Sequence, residues 1–266
     1  MFQAFILGAV QGLCEFLPVS SSGHLALLQY FFGFETGEEM TAFNLILHFA
    51  TVISLIIYFR REVFNVLYEW FSGWFQKSDE RLPGWSYGWA ILIASFFTAL
   101  IGLPMRKTVD LISASPMYVG CGLIFTAMIL AAVPVISHKH KKNSLLKIAI
   151  VVGIAQGIAV LPGVSRSGMT IAASLLMGMG LTGAFKFSFM ISIPAILGAN
   201  LIEFLKFYKS GEAVLMPDGY LIACFAAFIL GLIALGIMRR LVLTEKWPYF
   251  GIYCFIVGTG AILISL

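Results

Sequence analysis

The sequence predicts an all-α integral membrane protein with six transmembrane helices and two re-entrant helical hairpins, arranged as two inverted-topology repeats. Three observations lead to this fold class: the composition, eight long apolar stretches and an internal repeat. Of the 266 residues, 60% are hydrophobic and 11% are charged, and the mean hydropathy is +0.95. A soluble domain is nearer half apolar and a quarter charged, so a lipid bilayer is the solvent that suits this chain.

The charge and cysteine patterns exclude some classes of protein. The net charge is only +4, and the basic residues lie in short clusters between apolar runs, so nucleic acid is not an expected partner. The four cysteines lie in separate apolar stretches without a CxxC motif, which indicates packing residues rather than a metal site. A homodimer is compatible with this composition.

Six apolar stretches have about the 20 residues that a membrane-spanning helix needs. They cover residues 41–59, 86–105, 115–137, 183–205, 217–238 and 248–266. We predict one transmembrane helix in each.

Two further apolar stretches, 2–30 and 145–178, are each broken near the middle by proline and a cluster of serine and glycine. Non-helical backbone at membrane depth survives only when it is buried in protein or lines a water-filled cavity. We therefore predict a re-entrant helical hairpin in each stretch. Residues 62–76 are amphipathic and rich in aromatic side chains, and they are expected to lie along the membrane interface.

Lysine and arginine in the loops predict the orientation. One set of loops holds only Arg106, Lys107, Lys206 and Lys209. The other set holds Arg60, Arg61, Lys77, Arg81, Lys139, Lys141, Lys142, Lys147, Arg239, Arg240 and Lys246. Cytoplasmic loops carry the excess of basic residues, so the second set is cytoplasmic and both termini lie outside.

Residues 8–23 match residues 153–168 without gaps at an offset of 145. The identical pairs are Gly8/Gly153, Gln11/Gln156, Gly12/Gly157, Val19/Val164, Ser20/Ser165, Ser22/Ser167 and Gly23/Gly168. Within a single transmembrane domain, 1–266, we infer one repeat over about 1–137 and a second over about 145–266. Each contains a hairpin and three spans, an odd number, so the second copy is inverted and the two broken tips can meet near the midplane.

A helix start follows each break. Ser20-Ser21-Ser22-Gly23-His24 precedes one apolar run, and Ser165-Arg166-Ser167-Gly168 precedes the other. Serine is a good N-cap, and a helix N-terminus favours an anion through its free N–H groups and partial positive charge. Two such ends would suit a phosphate or diphosphate. The alternative is that the serines only cap the half-helices.

Arg166 is the strongest single indication of function. An arginine at the centre of a membrane helix costs about 2.5–3.5 kcal/mol on insertion scales, so it needs a partner or an anionic ligand. Its guanidinium can bind phosphate oxygens through two parallel hydrogen bonds. A buried Glu15–Arg166 ion pair is the structural alternative, and the two interpretations are compatible because the pair could open for substrate.

Other polar residues complete the candidate site. Gln11 and Glu15 share one helix face, and Glu15 could bind a divalent cation, Mg²⁺ or Ca²⁺, or act as a general base. His24 is a candidate for acid–base or nucleophilic chemistry. His48 and Gln156 are expected to contact the site residues rather than the substrate. Together with Thr170, these groups could supply the positioned oxygens, neutralised charge and nucleophile that phosphoryl transfer needs.

Two of these motifs resemble a known family. The run QGLCEFLPVSSSGH resembles the first signature of the bacterial undecaprenyl-diphosphate phosphatase family, also called the bacitracin-resistance family. LPGVSRSGMT resembles its second signature, and FSFMISIP at 187–194 a further segment. The resemblance implies hydrolysis of undecaprenyl diphosphate to the monophosphate and phosphate, which recycles the lipid carrier for cell-wall synthesis and confers bacitracin resistance. It also implies a bacterial plasma (inner) membrane location and a site open toward the outer face.

The resemblance assigns roles residue by residue. Catalytic roles fall on Glu15, Ser21, His24 and Arg166. Substrate-binding roles fall on Gln11, Ser20, Ser22, Ser165, Ser167 and Thr170. The first acidic position can be glutamate in this family but is Gln11 here, which can ligate a metal but cannot act as a base, so a scheme with two carboxylates is weakened.

The expected mechanism has Ser21 attacking the terminal phosphorus while Glu15 or His24 handles the proton, with His24 as the alternative nucleophile. The competing class is a polyprenyl-phosphate transporter or flippase, because inverted repeats with helices broken at the midplane are typical of transporters.

Overall fold

The computed structural model describes residues 1–33, 38–137, 143–210 and 218–265. Part of the basic loop assigned to the cytoplasmic side, residues 138–142, lies outside them. Within the described ranges the chain forms α-helices and no strands. The helices are α1 Phe2–Phe16, α2 Ser21–Phe32, α3 Glu38–Tyr58, α4 Arg60–Ser72, α5 Pro83–Gly102, α6 Arg106–Ser113, α7 Pro116–Ser137, α8 Leu145–Ile158, α9 Arg166–Leu176, α10 Leu181–Ser210, α11 Tyr220–Thr244 and α12 Trp247–Ser265.

Five of these helices are long and apolar enough to cross a membrane: α5, α7, α10, α11 and α12. Helices α3 and α4 are long and apolar enough to cross only as a pair, and they are bent by 79° at their junction. The described part of the chain therefore has five candidate spans, or six if the bent pair forms one. The prediction of a multi-pass helical membrane protein is confirmed.

The two interrupted stretches form separate short helices. Helix α1 has 15 residues and α8 has 14, which at 1.5 Å per residue gives about 21–23 Å, less than the roughly 30 Å of the hydrocarbon core. Both breaks need left-handed backbone, with φ 68° at Ser20 and φ 87° at Gly163. Neither α1 nor α8 is long enough to cross the bilayer alone.

Glycines let α1 and α8 approach helices from the opposite half of the chain. Helix α1 packs on α11, and α8 packs on α5. A Cβ added at any of these glycines would lie within 2.2–2.6 Å of an atom of the facing helix, so only glycine fits. The glycines form two pairs whose members are 145 positions apart, and the contacts are Gly8 with Ala223, Gly12 with Ala227, Gly153 with Ala94, and Gly157 with Ile101.

Helices α7 and α12 also pack closely against each other through glycines. A Cβ on Gly120 would lie 2.6 Å from the Gly258 carbonyl oxygen, and one on Gly258 would lie 2.8 Å from the Gly120 oxygen. This reciprocal contact fixes α12, near the end of the chain, beside a helix from its middle.

Charged residues at the two ends of α10 are paired. Lys186 Nζ lies 3.0 Å from Glu62 Oε1, and Glu203 forms an ion pair with Arg106. Arg106 begins α6, an eight-residue helix that the sequence analysis did not predict. These pairs neutralise the charges at the two ends of an otherwise apolar helix.

The predicted interfacial segment 62–76 overlaps α4. One face of α4 packs on α5, where Glu69 accepts a 2.6 Å hydrogen bond from the Gly84 N–H and a Cβ on Gly88 would clash with Trp70. The other face exposes Phe64, Tyr68 and further large apolar side chains. Its position along the membrane interface stays a prediction.

Candidate active site

The two serine motifs begin helices with the same side-chain capping hydrogen bonds, although the backbone at Ser20 has a positive φ and that at Ser165 is extended. Ser20 caps α2 by accepting a 3.3 Å hydrogen bond from the Gly23 N–H, and Ser165 caps α9 by accepting a 3.2 Å bond from the Gly168 N–H. In each motif the cap hydroxyl lies 3.3 Å from the hydroxyl two residues later, Ser22 or Ser167. Two helix N-termini, each of which favours an anion, are thus capped by the same arrangement of hydroxyls.

The two breaks touch each other. A Cβ on Gly23 would lie 2.8 Å from the backbone nitrogen of Gly163, so the first turn of α2 lies directly on the second break. Ser167 Oγ donates a 3.3 Å hydrogen bond to the carbonyl oxygen of Leu17 in the first break. Residues 150 apart in the chain can therefore share one site.

Glu15 is the centre of that site. Its side chain is only 1% exposed, and Arg166, at the start of α9, forms an ion pair with Oε1. Oε2 accepts hydrogen bonds from Ser21 Oγ at 2.7 Å and from Gln11 Nε2 at 2.9 Å. The structure thus brings together a carboxylate, a guanidinium, a hydroxyl and an amide that were predicted separately. Arg166 is paired rather than free, as the structural alternative expected.

His48 contacts the same carboxylate directly. Its Nε2 lies 3.7 Å from Glu15 Oε2, and its Nδ1 lies 2.8 Å from the carbonyl oxygen of Asn44. Because a carbonyl only accepts, Nδ1 carries a hydrogen. His48 therefore presents Nε2 to the site.

His24 hydrogen-bonds to two groups other than Glu15. Its Nδ1 lies 2.8 Å from the Ser20 carbonyl oxygen and its Nε2 lies 2.8 Å from the phenolic oxygen of Tyr253 in α12. The imidazole and phenol ring planes are nearly parallel, 5° apart, with centroids separated by 5.6 Å.

Two predicted residues point elsewhere. Thr170 is fully buried, and its hydroxyl donates to the Arg166 carbonyl at 2.8 Å and lies 2.5 Å from Ser188 Oγ. Gln156 donates to Thr98 Oγ1 at 3.0 Å and, at 3.4 Å, to the carbonyl oxygen of Ile191. Gln156 therefore braces α8 against α5 and α10, and Thr170 supports Ser188 rather than opening to the cavity.

A cavity of about 10 Å³, room for about one water molecule, lies against the ion pair. Its lining combines charged and hydroxyl side chains with two phenylalanines. The lining residues are Glu15, Phe16, Arg166, Ser167, Ser188, Phe189 and Ser192. Ser188, Ser192 and both phenylalanines were not predicted from the sequence as site residues. The signal for the serines was present in FSFMISIP, where two hydroxyls four residues apart lie on one face of an apolar helix.

The described residues contain no group of three or more His, Cys, Asp and Glu side chains that could hold a metal ion. Gln11 Oε1 is nevertheless buried without a hydrogen-bond partner in that part of the chain. A buried orphan oxygen beside a carboxylate fits a ligand pair for a cation that takes its other ligands from phosphate and water.

The fold and the site define a helical membrane protein with a buried ionic site between two helix N-termini. The chain belongs to the family described as "Bacitracin resistance protein BacA", whose model matches residues 4–260. It is similar to the undecaprenyl-diphosphatase of Bacteroides fragilis strain NCTC 9343, with 41% identity over 99% of this chain and 98% of that protein. Proteins of the same name from Korarchaeum cryptofilum and Carboxydothermus hydrogenoformans are 38% and 37% identical, over 96% and 99% of this chain and 96% and 97% of those proteins.

Proposed function

We propose that this protein hydrolyses undecaprenyl diphosphate to undecaprenyl phosphate and inorganic phosphate, recycling the lipid carrier for cell-wall synthesis and conferring bacitracin resistance. The observation that carries the proposal is the Ser21–Glu15–Arg166 cluster at two touching helix N-termini. It lies in a chain whose full-length relatives are named for this diphosphatase activity. The substrate is amphipathic, and its polyprenyl tail stays in lipid while the diphosphate enters the site.

Substrate binding opens the Glu15–Arg166 pair. The cavity beside the pair holds about one water molecule, so a diphosphate fits only if the guanidinium moves onto phosphate oxygens. Arg166, the N–H groups at the starts of α2 and α9, and the hydroxyls of Ser188 and Ser192 then surround the terminal phosphate. A carboxylate that loses its guanidinium partner accepts a proton more readily, so binding also activates Glu15.

Ser21 is the nucleophile of the first step. Its Oγ attacks the terminal phosphorus, and the hydroxyl proton passes to Glu15 Oε2, to which it is already hydrogen-bonded at 2.7 Å. The Oγ–P bond forms as the bridging P–O bond breaks. The bridging oxygen keeps the electron pair and leaves as part of undecaprenyl phosphate. Arg166 and the two helix N-termini stabilise the charge on the transferring group.

Water completes the reaction. Its oxygen attacks the phosphoserine phosphorus, the Oγ–P bond breaks, and Glu15 returns its proton to Ser21 Oγ. The proton that the water loses passes to His24 Nε2, which lies at the open edge of the site. Inorganic phosphate leaves, His24 releases the proton to solvent, and the ion pair reforms.

One observation favours a second nucleophile. His24 donates from Nδ1 to the Ser20 carbonyl, which leaves a lone pair on Nε2 able to attack phosphorus. The two schemes differ in the trapped intermediate. Phosphoserine survives acid and phosphohistidine does not, so acid quenching of labelled enzyme distinguishes them.

A divalent cation, Mg²⁺ or Ca²⁺, would be held by Glu15 and by the orphan Gln11 Oε1. When bound, it would neutralise charge on the diphosphate. Ser21, Arg166 and the helix N-termini keep the roles described above.

The finer architecture belongs to the same proposal. It consists of two inverted repeats, about 1–137 and 145–266, each with a re-entrant hairpin and three spans. Glycines at positions 145 apart, which contact helices of the opposite half in both copies, support it. The loop charges support termini on the outer side, and the site opens toward the outer face. A homodimer is retained as a prediction.

The test of the proposed function is phosphate release by the detergent-purified chain supplied with undecaprenyl diphosphate. An enzyme releases phosphate without a membrane to cross, whereas a transporter or flippase releases none. No comparison favours the transporter alternative. Release by wild type that is lost in Ser21→Ala supports the proposal, and no release by wild type contradicts it.

A further inference from the structure

We propose that Tyr253 is a positioning residue of the active site, whose phenol donates a hydrogen bond to His24 Nε2 and holds the imidazole for reaction. The inference rests on the proposed hydrolysis. It concerns a residue near the end of the chain, 229 positions from its partner, in a span where the sequence carries no catalytic motif.

The hydrogen-bond partners of His24 determine its tautomer. Nδ1 lies 2.8 Å from the Ser20 carbonyl oxygen, which can only accept, so Nδ1 carries the hydrogen. In the neutral ring Nε2 then bears a lone pair. The phenolic oxygen of Tyr253, 2.8 Å away, must be the donor. Nε2 is therefore the reactive nitrogen, whether His24 accepts a proton from water or attacks phosphorus.

The position of Tyr253 is fixed by neighbouring contacts. The next residue, Cys254, is buried and its Sγ lies 3.7 Å from the Pro18 carbonyl oxygen in the first break. Gly251 faces α7, where a Cβ would lie 3.3 Å from the Ala127 carbonyl oxygen. Helix α12 is thus anchored to the hairpin break and to α7 on either side of Tyr253, so the phenol is presented to His24 by a packed helix.

The relative orientation of the His24 and Tyr253 rings is consistent with a phenol that positions the imidazole. The two ring planes are nearly parallel, 5° apart, and the phenolic oxygen lies 2.8 Å from Nε2, within hydrogen-bond distance. Tyr253 is 43% exposed, and a phenol in an apolar setting pairs its hydroxyl where it can. The water molecule that gives its proton to Nε2, or the phosphorus that Nε2 attacks, displaces the phenol, and until then the imidazole plane is held.

The simpler explanation is that Tyr253 is an ordinary aromatic residue at a membrane interface. Tyr249 lies four residues earlier on α12 and is 69% exposed, so it provides a matched control. Tyr253→Phe keeps the ring and removes the hydroxyl. We expect it to lower kcat for phosphate release about tenfold, the effect of one lost hydrogen bond, with KM unchanged. Tyr249→Phe should leave both at wild-type values.

A second measurement is independent of activity. The full-length protein, labelled with ¹⁵N in the histidine rings, gives imidazole signals in detergent, and those absent from His24→Gln belong to His24. We expect Tyr253→Phe to shift the His24 Nε2 signal toward that of a nitrogen without a donor, and Tyr249→Phe to leave it in place.

The outcomes separate the inference from the reaction on which it rests. No phosphate release by wild type would contradict the proposed function, and the ring signals would still test the contact. An unchanged His24 signal in Tyr253→Phe overturns the inference. So does an effect confined to KM, or an equal loss of kcat in Tyr249→Phe.

Discussion

Ser21 Oγ, on the first turn of α2, donates a 2.7 Å hydrogen bond to Glu15 Oε2 near the end of α1. The break between the two helices makes this contact, because it turns the chain so that residues six apart face each other. A hydroxyl bound to a buried carboxylate is the arrangement in which a nucleophile and its proton acceptor are already aligned.

Ser21→Ala removes the proposed nucleophile and keeps the helix, because Ser20 remains the N-cap. We expect phosphate release to fall at least about 10³-fold, as when a catalytic nucleophile is deleted elsewhere, and no acid-stable phosphoenzyme to form. Ser95→Ala, which removes a hydroxyl bound within α5, is the control and should behave as wild type. Near-normal turnover by Ser21→Ala would exclude the serine scheme.

Glu15→Gln keeps the shape of the side chain and removes its charge. The change leaves Arg166 without its buried partner, which costs about 3–5 kcal/mol when one member of such a pair is lost. We expect a lower midpoint of thermal unfolding in detergent and a loss of activity of about 10²-fold or more.

The matched control is Glu203→Gln, which removes the pair with Arg106 outside the site. Because that pair is more exposed, the unfolding midpoint should fall less and activity should be kept. Equal effects of the two substitutions on activity would mean that Glu15 is only a structural charge.

Gly23→Ala tests the contact between the two breaks. The new methyl group would lie 2.8 Å from the Gly163 backbone nitrogen, and overpacking of this kind costs about 1–3 kcal/mol. We expect phosphate release to fall about tenfold or more as Ser21 and Arg166 separate. Gly236→Ala in α11, where a Cβ meets no atom within 4 Å in the described part of the chain, should retain wild-type activity.

Gln11 tests the proposed cation. Removing divalent ions with a chelator should abolish phosphate release, and adding back Mg²⁺ or Ca²⁺ should restore it. Gln11→Glu adds a second carboxylate beside Glu15, so half-maximal activity should need less cation. The thermal midpoint of the variant should also rise more on Mg²⁺ addition than that of wild type. Activity indifferent to chelator would contradict a cation at this site.

Much of this site was predictable from sequence because each feature has a local cause. Serine at a helix start, a proline break and a lone arginine in an apolar run are all visible without coordinates. The repeat also predicted similar positions for Gln11 and Gln156, but their partners differ. Val160 stands where the first copy has Glu15, so Gln156 finds no carboxylate and binds Thr98 instead.

The missed residues depend on packing over long distances. Tyr253 reaches His24 only because α12 lies beside α7 and the first break, and no pattern around Tyr253 encodes that. The spacing of Ser188 and Ser192 places them on one face of α10, but only the packing of α10 against α9 brings that face to the site.

The most direct test of the account is phosphate release from undecaprenyl diphosphate by Arg166→Ala, because Arg166 comes from the second half of the chain and Ser21 from the first. We predict that kcat/KM falls at least about 10²-fold, that Arg166→Lys recovers part of it, and that Arg106→Ala retains wild-type activity. An Arg166→Ala protein that folds and turns over like wild type would contradict a single site built from both halves.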